Sequence, residues 1–474
     1  MKSIGLLREI AHGALHNSDE RFDPPKCHPN TRLAVLSDIM KWIKWEGDLK
    51  SFIMWVYGPA GNGKSAIAQT IAEMCEEEMI LLASFFFSRN SAWRNTVKPL
   101  IATIAYQIAF NLPSVRDAIN GAVERDPSIF FKSLAVQLKY LIVEPLQPLI
   151  EAGFFNEPTS RRLVVIDGLD ECSDLMAQRN VVEVLANAQQ EHKLPLIFLF
   201  TSRPEHHISV AFKALSSVTT HISLTQSYLI DKDKDKDIYL FLTDRFVQIK
   251  STHPLRAYIP SQWPLPDILK QLIKQSSGQF IYASTIMDYV SSIQHNPLDR
   301  LDIILGIRPP PNRIDLPFAQ LDALYTQILF DVDDVGPILE ILAVLVLSTP
   351  NLPMDWSLSR VGEFLSFDPG EVESYLGDLN SLVYIGADDE ISIIHASFSD
   401  FLMDPTRSGR FWINPKATHT VLARHCLNFL QPNSKQCFSS RNIYCLIPDK
   451  DVKPIQSWCG SVTTASTTIA NTQK

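Results

Sequence analysis

VYGPAGNGKSAIAQT, residues 56–70, is the stretch on which the reading of this chain turns. Gly58, Gly63, Lys64 and Ser65 stand in the spacing G-x-x-x-x-G-K-[ST]. In that pattern glycines let successive backbone N–H groups face a phosphate chain, the lysine reaches the outer phosphates, and the hydroxyl holds Mg²⁺. The residues expected to surround phosphates are therefore Gly58, Pro59, Ala60, Gly61, Asn62, Gly63, Lys64, Ser65 and Ala66. Such a pattern arises by chance in many chains, so its flanks matter. SFIMWVYG (51–58) reads as a short buried strand and KSAIAQTIAEMCEEE (64–78) as an amphipathic helix. The loop thus joins a strand tip to a helix N-terminus, where the helix dipole also favours an anion.

Working outward, ILLASFFFS (80–88), RRLVVIDGLDE (161–171) and LPLIFLFTSRP (194–204) read as further buried strands, and VKPLIATIAYQIAFNL (97–112) as a helix. Alternating strands and helices predict an α/β fold with a doubly wound parallel sheet. The third strand ends in Asp167, placed to hold Mg²⁺ together with Ser65, and Asp170 or Glu171 follows in position to polarise an attacking water. A buried strand with a solvated acidic turn is the bland alternative, and the preceding glycine loop argues against it. After the fourth strand, Thr201, Ser202 and Arg203 would lie across the strand tips from a terminal phosphate, with Arg203 able to report its presence.

Composition bounds the rest. A hydrophobic fraction of 46% with 20% charged residues is that of a globular chain with a large core, and 474 residues imply more than one domain. The net charge of −9, without a basic stripe, argues against a nucleic-acid partner. The apolar run ILEILAVLVL (338–347) is too short to span a bilayer, and no signal peptide is recognisable. Seven cysteines without a C-x-x-C pair read as thiols of a reducing, cytoplasmic compartment. His206 and His207 adjoin one another without further ligands at metal spacing, so a metal site made by side chains alone is not expected.

The expected organisation is a leader and linker over 1–27, a nucleotide-binding domain over 28–230, and a small helical domain over 231–308 opening on the charge run DKDKDKD. RPPPN (308–312) breaks the helical pattern. Beyond it, 309–415 holds helices followed by the hairpin pattern SLVYIGADDEISIIHASFSDFL (381–402), as a winged-helix domain would. Residues 416–435 begin a further helical region, and the Ser/Thr-rich residues 436–474 read as a disordered tail.

The stretches GALHNSDERFDPPKCHPNTR (13–32), GPAGNGKS (58–65), VVIDGLDEC (164–172), TSRPE (201–205) and IHASFSDFL (394–402) together resemble the NACHT-domain proteins. These belong to the signal-transduction ATPases with numerous domains, and the likeness is to the fungal, nephrocystin-3-like set. IDGLDE followed by TSRPE carries most of the specificity. The resemblance implies ATP and ADP as ligands with Mg²⁺, and a switch that is closed with ADP and self-associates with ATP. It further implies slow hydrolysis, protein partners of unidentified kind, and a role in fungal defence or self/non-self signalling. It implies that His395 of the winged-helix domain contacts the ADP β-phosphate. Many relatives pack a proline on adenine, where SSGQFIYAS (276–284) offers Gly278 and Phe280 instead. Relatives also carry effector and repeat domains, so the chain is expected to be a truncated product or a stripped core. A conventional P-loop ATPase that remodels protein or nucleic acid, and a nucleotide-binding scaffold without hydrolysis, remain the alternatives.

Overall fold

The computed structural model describes residues 4–21, 24–45, 51–89, 91–156, 162–224, 231–276, 278–307, 318–330, 332, 334–347, 356–377, 379, 382–386, 389–393 and 396–429. The chain divides into two compact units. One comprises 1–332 with 376–384 and 393–400, the other 333–375 with 385–392 and 401–474.

Five strands build the first unit: β1 (Ile53–Tyr57), β2 (Leu81–Phe86), β3 (Leu163–Asp167), β4 (Ile197–Ser202) and β5 (Thr219–Ser223). They form one parallel sheet in the order β2-β3-β4-β1-β5. The fold is thus α/β with a parallel sheet, as expected. Successive side chains of a strand point to opposite faces, and the two cores follow that alternation. Ile53, Trp55, Val164 and Ile166 pack in one cluster with Ile104 of helix Leu100–Asn111, Leu185 of helix Leu175–His192 and Phe212 of helix His206–Ala214. Met54, Val56, Leu163 and Val165 pack in the other with Ile39 of helix Leu33–Ile43 and Ile71 of helix Lys64–Glu77. Both faces are covered, which is why these strands read as continuous apolar runs.

The fifth strand escapes sequence reading. TTHIS lacks an apolar run because β5 is covered only in part, with Thr219 and Ile222 buried, whereas the other edge strand, β2, is buried throughout. Between β2 and β3 the chain also makes more helix than periodicity suggests, adding Arg116–Arg125 and Glu144–Glu151 to Leu100–Asn111.

The N-terminal segment, read from sequence as a leader and linker, packs on this sheet. Leu6, Ile10, Ala11 and Ala14 are buried in its core. Four polar contacts then run along helix Lys64–Glu77. His16 Nε2 lies 2.7 Å from Glu76 Oε2, Arg21 Nη1 donates to Gln69 Oε1 at 2.7 Å, Lys26 Nζ lies 2.8 Å from Glu73 Oε1, and the Cys27 amide donates to Thr70 Oγ1 at 3.0 Å. The polar residues that suggest a linker are engaged in fixing the segment to the helix that follows the glycine loop.

The unit continues through helices Asp231–Thr252, Pro266–Ser276, Phe280–Val290, Pro297–Ile304 and Ala319–Phe330. The charge run forms the first turns of the longest of these. In the second unit, Trp356 packs edge-on to Phe364 of helix Leu358–Leu365, their ring centroids 5.5 Å apart, and the Trp356 carbonyl accepts from the Ile391 amide at 2.8 Å. The expected hairpin is present as the paired strands β6 (Val383–Ile385) and β7 (Ile391–Ile393). The tail over 436–474 lies outside the described residues. Among the described residues no helix is long and apolar enough to cross a membrane.

Candidate functional site

The sheet order decides what meets at its C-terminal edge. β4 lies between β1 and β3, so the end of β4 separates the glycine loop from Asp167. Register brings the tips level, with Tyr57 opposite Ser202 and Phe86 opposite Asp167. In open parallel sheets ligands bind beyond this edge.

The loop after β1 depends on two glycines. Gly61 (φ 77°) and Gly63 (φ 78°) hold left-handed backbone, and a Cβ on Gly61 would sit 2.3 Å from Ile281 Cγ2. Gly63 opens helix Lys64–Glu77 without any side-chain cap, so the first N–H groups of a 14-residue helix remain available to an acceptor. Asn62 Nδ2 donates to Leu224 O at 2.8 Å and anchors the back of the loop. Lys64 Nζ donates to Gly58 O at 2.8 Å and Pro59 O at 2.9 Å. Burial lowers the Lys64 ammonium from its ordinary 10.5 to about 8, against the opposing pull of Asp170, Asp167 and Glu171.

Behind the loop, the Thr201 hydroxyl donates to Asp167 Oδ1 and accepts from the Gly168 amide. Burial raises the Asp167 carboxyl above its ordinary value, while hydrogen bonds from Thr201 and Ser65 work the other way. Asp170 is held by Arg203 twice, through Nε at 3.2 Å and the backbone amide at 3.0 Å. The Asp170 carbonyl in turn accepts from Arg89 Nη2 at 3.0 Å. Glu171 accepts from the Arg89 amide at 3.3 Å, and burial, reinforced by Asp170 and Asp167, raises its carboxyl to about 7.

These groups face a cavity of about 430 Å³, within the size range of small-molecule sites. Of the residues singled out from sequence, Ala60, Gly61, Gly63, Lys64, Ser65, Ala66, Asp170, Glu171, Arg203 and Phe280 line it. Gly58, Pro59 and Asn62 form the rear of the loop, and Asp167 stands behind Ser65 and Thr201. His395 lies outside the described residues. Sequence reading did not single out Arg32, Phe241, Ile281 and Leu324, which also line the cavity. Arg32 sits in an ordinary helix-start pattern, and the three apolar residues sit in helices whose periodicity says only that one face is buried. Among the described residues no group of three or more His, Cys, Asp or Glu side chains could hold a metal ion.

A family model described as "Nephrocystin 3, N-terminal" matches residues 33–203, less than half of the chain. No curated protein matches the sequence. Among solved structures, the chain is similar to Cdc6p from Pyrobaculum aerophilum at 13% identity and a TM-score of 0.34, covering 87% of this chain and 99% of that one. A RuvB variant from Thermotoga maritima matches at 12% identity and a TM-score of 0.32, covering 78% and 94%. AMPPCP-bound DnaA from Aquifex aeolicus matches at 12% identity and a TM-score of 0.24, covering 79% and 92%.

Proposed function

We propose that this chain binds ATP and ADP with Mg²⁺ in the cavity at the sheet edge and serves as a nucleotide-controlled switch with slow hydrolysis. The observation that carries the reading is the meeting, in one cavity, of a half-buried Lys64, an uncapped helix N-terminus, and Asp170, Glu171 and Arg203 from two other strand ends. The donor set fits the ligand. Backbone N–H groups and a lysine suit phosphate oxygens, and Ser65 and Asp167 supply hard oxygen donors suited to Mg²⁺.

In this reading Lys64 neutralises the outer phosphates, Ser65 and Asp167 hold the metal, Glu171 takes a proton from the attacking water, and Arg203 senses the terminal phosphate. Glu171 suits the base role because its carboxyl is raised to about 7, near the operating pH of a general base. The switch aspect is supported by the Ile281 amide, which donates to Gly61 O at 3.3 Å and links helix Phe280–Val290 to the loop itself. A ligand that reshapes the loop thereby biases that helix. We assign residues 28–230 to the nucleotide-binding domain, 231–308 to a small helical domain, 309–415 to a winged-helix domain and 416–435 to the start of a further helical region.

His395 is proposed to close the ADP form. Its sequence neighbours Ser397 and Phe398 pack on Tyr325, beside the cavity-lining Leu324. Self-association with ATP, protein partners, a cytoplasmic location and a role in fungal defence belong to the same proposal. The test is titration calorimetry of ATP and ADP against the parent and Lys64→Ala, with ADP release and light-scattering mass compared for His395→Ala. Loss of binding in the first variant, and faster release with a larger mass in the second, are expected. Unchanged affinity in Lys64→Ala sinks the nucleotide site; unchanged release and mass in His395→Ala sink the switch.

A further inference from the structure

Arg89 joins three loops at the sheet edge. The Phe87 amide donates to Asp167 O at 2.9 Å, so the chain leaves β2 still paired to β3 and reaches Arg89 soon after. There the Arg89 amide donates to Glu171 Oε2 at 3.3 Å, and the side chain meets two further anchors. Nη2 donates to Asp170 O at 3.0 Å and lies 3.7 Å from Glu205 Oε1. Asp170 and Glu171 belong to the turn after β3, and Glu205 to the loop after β4 that also carries Arg203. Because β2, β3 and β4 are neighbours in the sheet, one arginine spans all three ends.

Glu205 is placed for this contact. It precedes helix His206–Ala214 at the position where a short polar side chain usually caps the first turn, yet its carboxylate makes no cap bond. Oε1 faces Arg89 and Oε2 lies 3.8 Å from His207 Nε2, while that nitrogen is 2.5 Å from Gln178 Oε1. The Arg89 and Glu205 side chains are 25% and 19% exposed, so solvent ions screen the pair less than a fully exposed one. Among the described residues that line the cavity, neither is present.

We propose that Arg89 and Glu205 are a positioning pair for Glu171: the braced guanidinium fixes the Arg89 amide on Glu171 Oε2 and so aims Oε1 at the attacking water. The inference rests on the reading of Glu171 as the base. A glutamate carboxylate swings on a flexible side chain, and one accepted amide bond narrows that freedom. A loop amide is only as fixed as its own residue, and here Asp170 O and Glu205 fix it through the guanidinium. Proton abstraction depends on the aim of the carboxylate. Phosphate binding by Lys64 and the helix N-terminus does not involve Arg89, so the hydrolysis rate and not the affinity reports the pair.

The experiment compares ATP affinity by calorimetry with single-turnover hydrolysis in the parent, Arg89→Met, Arg89→Lys, Glu205→Gln and the double variant Arg89→Met with Glu205→Gln. Each is also combined with Glu171→Gln, and urea unfolding serves as the fold control. Affinity should stay at the parent's value. Hydrolysis should fall about 10- to 100-fold in Arg89→Met, the range of a misplaced reacting group. Glu205→Gln should lose about 2- to 5-fold, the range of a single ion pair, and the double variant should be no slower than Arg89→Met. Arg89→Lys keeps a cation near Glu205 and should fall between the parent and Arg89→Met. In the Glu171→Gln background none of these changes should slow hydrolysis further. The proposal is overturned if Arg89→Met hydrolyses like the parent, if affinity and rate fall together, or if the same factors persist beside Glu171→Gln. Should Arg89→Met unfold, Arg89→Lys carries the same comparison. A parent that binds no ATP, or a Glu171→Gln that hydrolyses like the parent, overturns the underlying reading instead, and both are seen without any change at Arg89 or Glu205.

Discussion

Arg203 grips Asp170 with two donors, its Nε at 3.2 Å from Oδ2 and its backbone amide at 3.0 Å from Oδ1. The pair locks the end of β4 to the acidic turn after β3, and Asp170 is only 4% exposed. Removing one member leaves a buried carboxylate partly uncompensated, whereas removing both leaves none. Arg203→Met is therefore expected to destabilise the fold by about 3–5 kcal/mol. Arg203→Met with Asp170→Leu should recover most of that loss in urea unfolding. Additive losses in the double variant would mean that the two side chains are not coupled.

Glu171 carries a pH signature. Its folded carboxyl is raised from 4.5 to about 7 by burial first and by Asp170 and Asp167 next. A raised value means that the folded protein holds the proton more tightly than the unfolded chain. The associated stability is full below about 4.5 and is lost as pH rises through about 7. If Glu171 accepts the proton from water, single-turnover hydrolysis should rise roughly tenfold per pH unit below about 7 and level off above it. Glu171→Gln should abolish that limb and leave nucleotide affinity near the parent's. A parent profile that is flat between pH 5 and 8 would remove Glu171 from the base role.

Lys64 gives the opposite sign. Burial lowers its ammonium from 10.5 to about 8, so above about pH 8 much of the free protein carries a neutral Lys64. A phosphate ligand favours the charged form, which couples binding to proton uptake. Nucleotide affinity should fall as pH rises from 8 toward 10, and calorimetry at pH 8.5 in buffers of different ionisation enthalpy should register the uptake. Lys64→Arg keeps its charge throughout this range and should show no uptake from this position.

The N-terminal segment is structural. Leu6 and Ile10 are 1% and 4% exposed and belong to the core on one face of the sheet. Leu6→Ala and Ile10→Ala should each cost about 2–5 kcal/mol. Chemical denaturation of the two variants checks this, and losses below about 0.5 kcal/mol would make the segment the dispensable surface element that its polar residues suggest.

The sequence alone determined what depends on near neighbours in the chain. The strand, glycine loop and helix over residues 51–78 are legible because an apolar run, a glycine spacing and a 3.6-residue period are each local. The same holds for Asp167 at a strand end and for the α/β class, since strands buried on both faces must be apolar throughout. Tertiary structure alone decided what depends on distant pairing. β5 has no apolar run because packing covers only part of it, and the N-terminal contacts along helix Lys64–Glu77 have no periodicity of their own. The insertion of β4 between β1 and β3 is a choice of strand order, and it brings Arg203 to Asp170 and Thr201 to Asp167. Arg32 and Phe280 lie far apart in the chain and become neighbours only when helix Phe280–Val290 approaches the glycine loop. Nothing in the local pattern of Arg32 marks it for the cavity, and Phe280 is marked only by the family resemblance, because the shape of a cavity is a property of the packed molecule and not of any one segment.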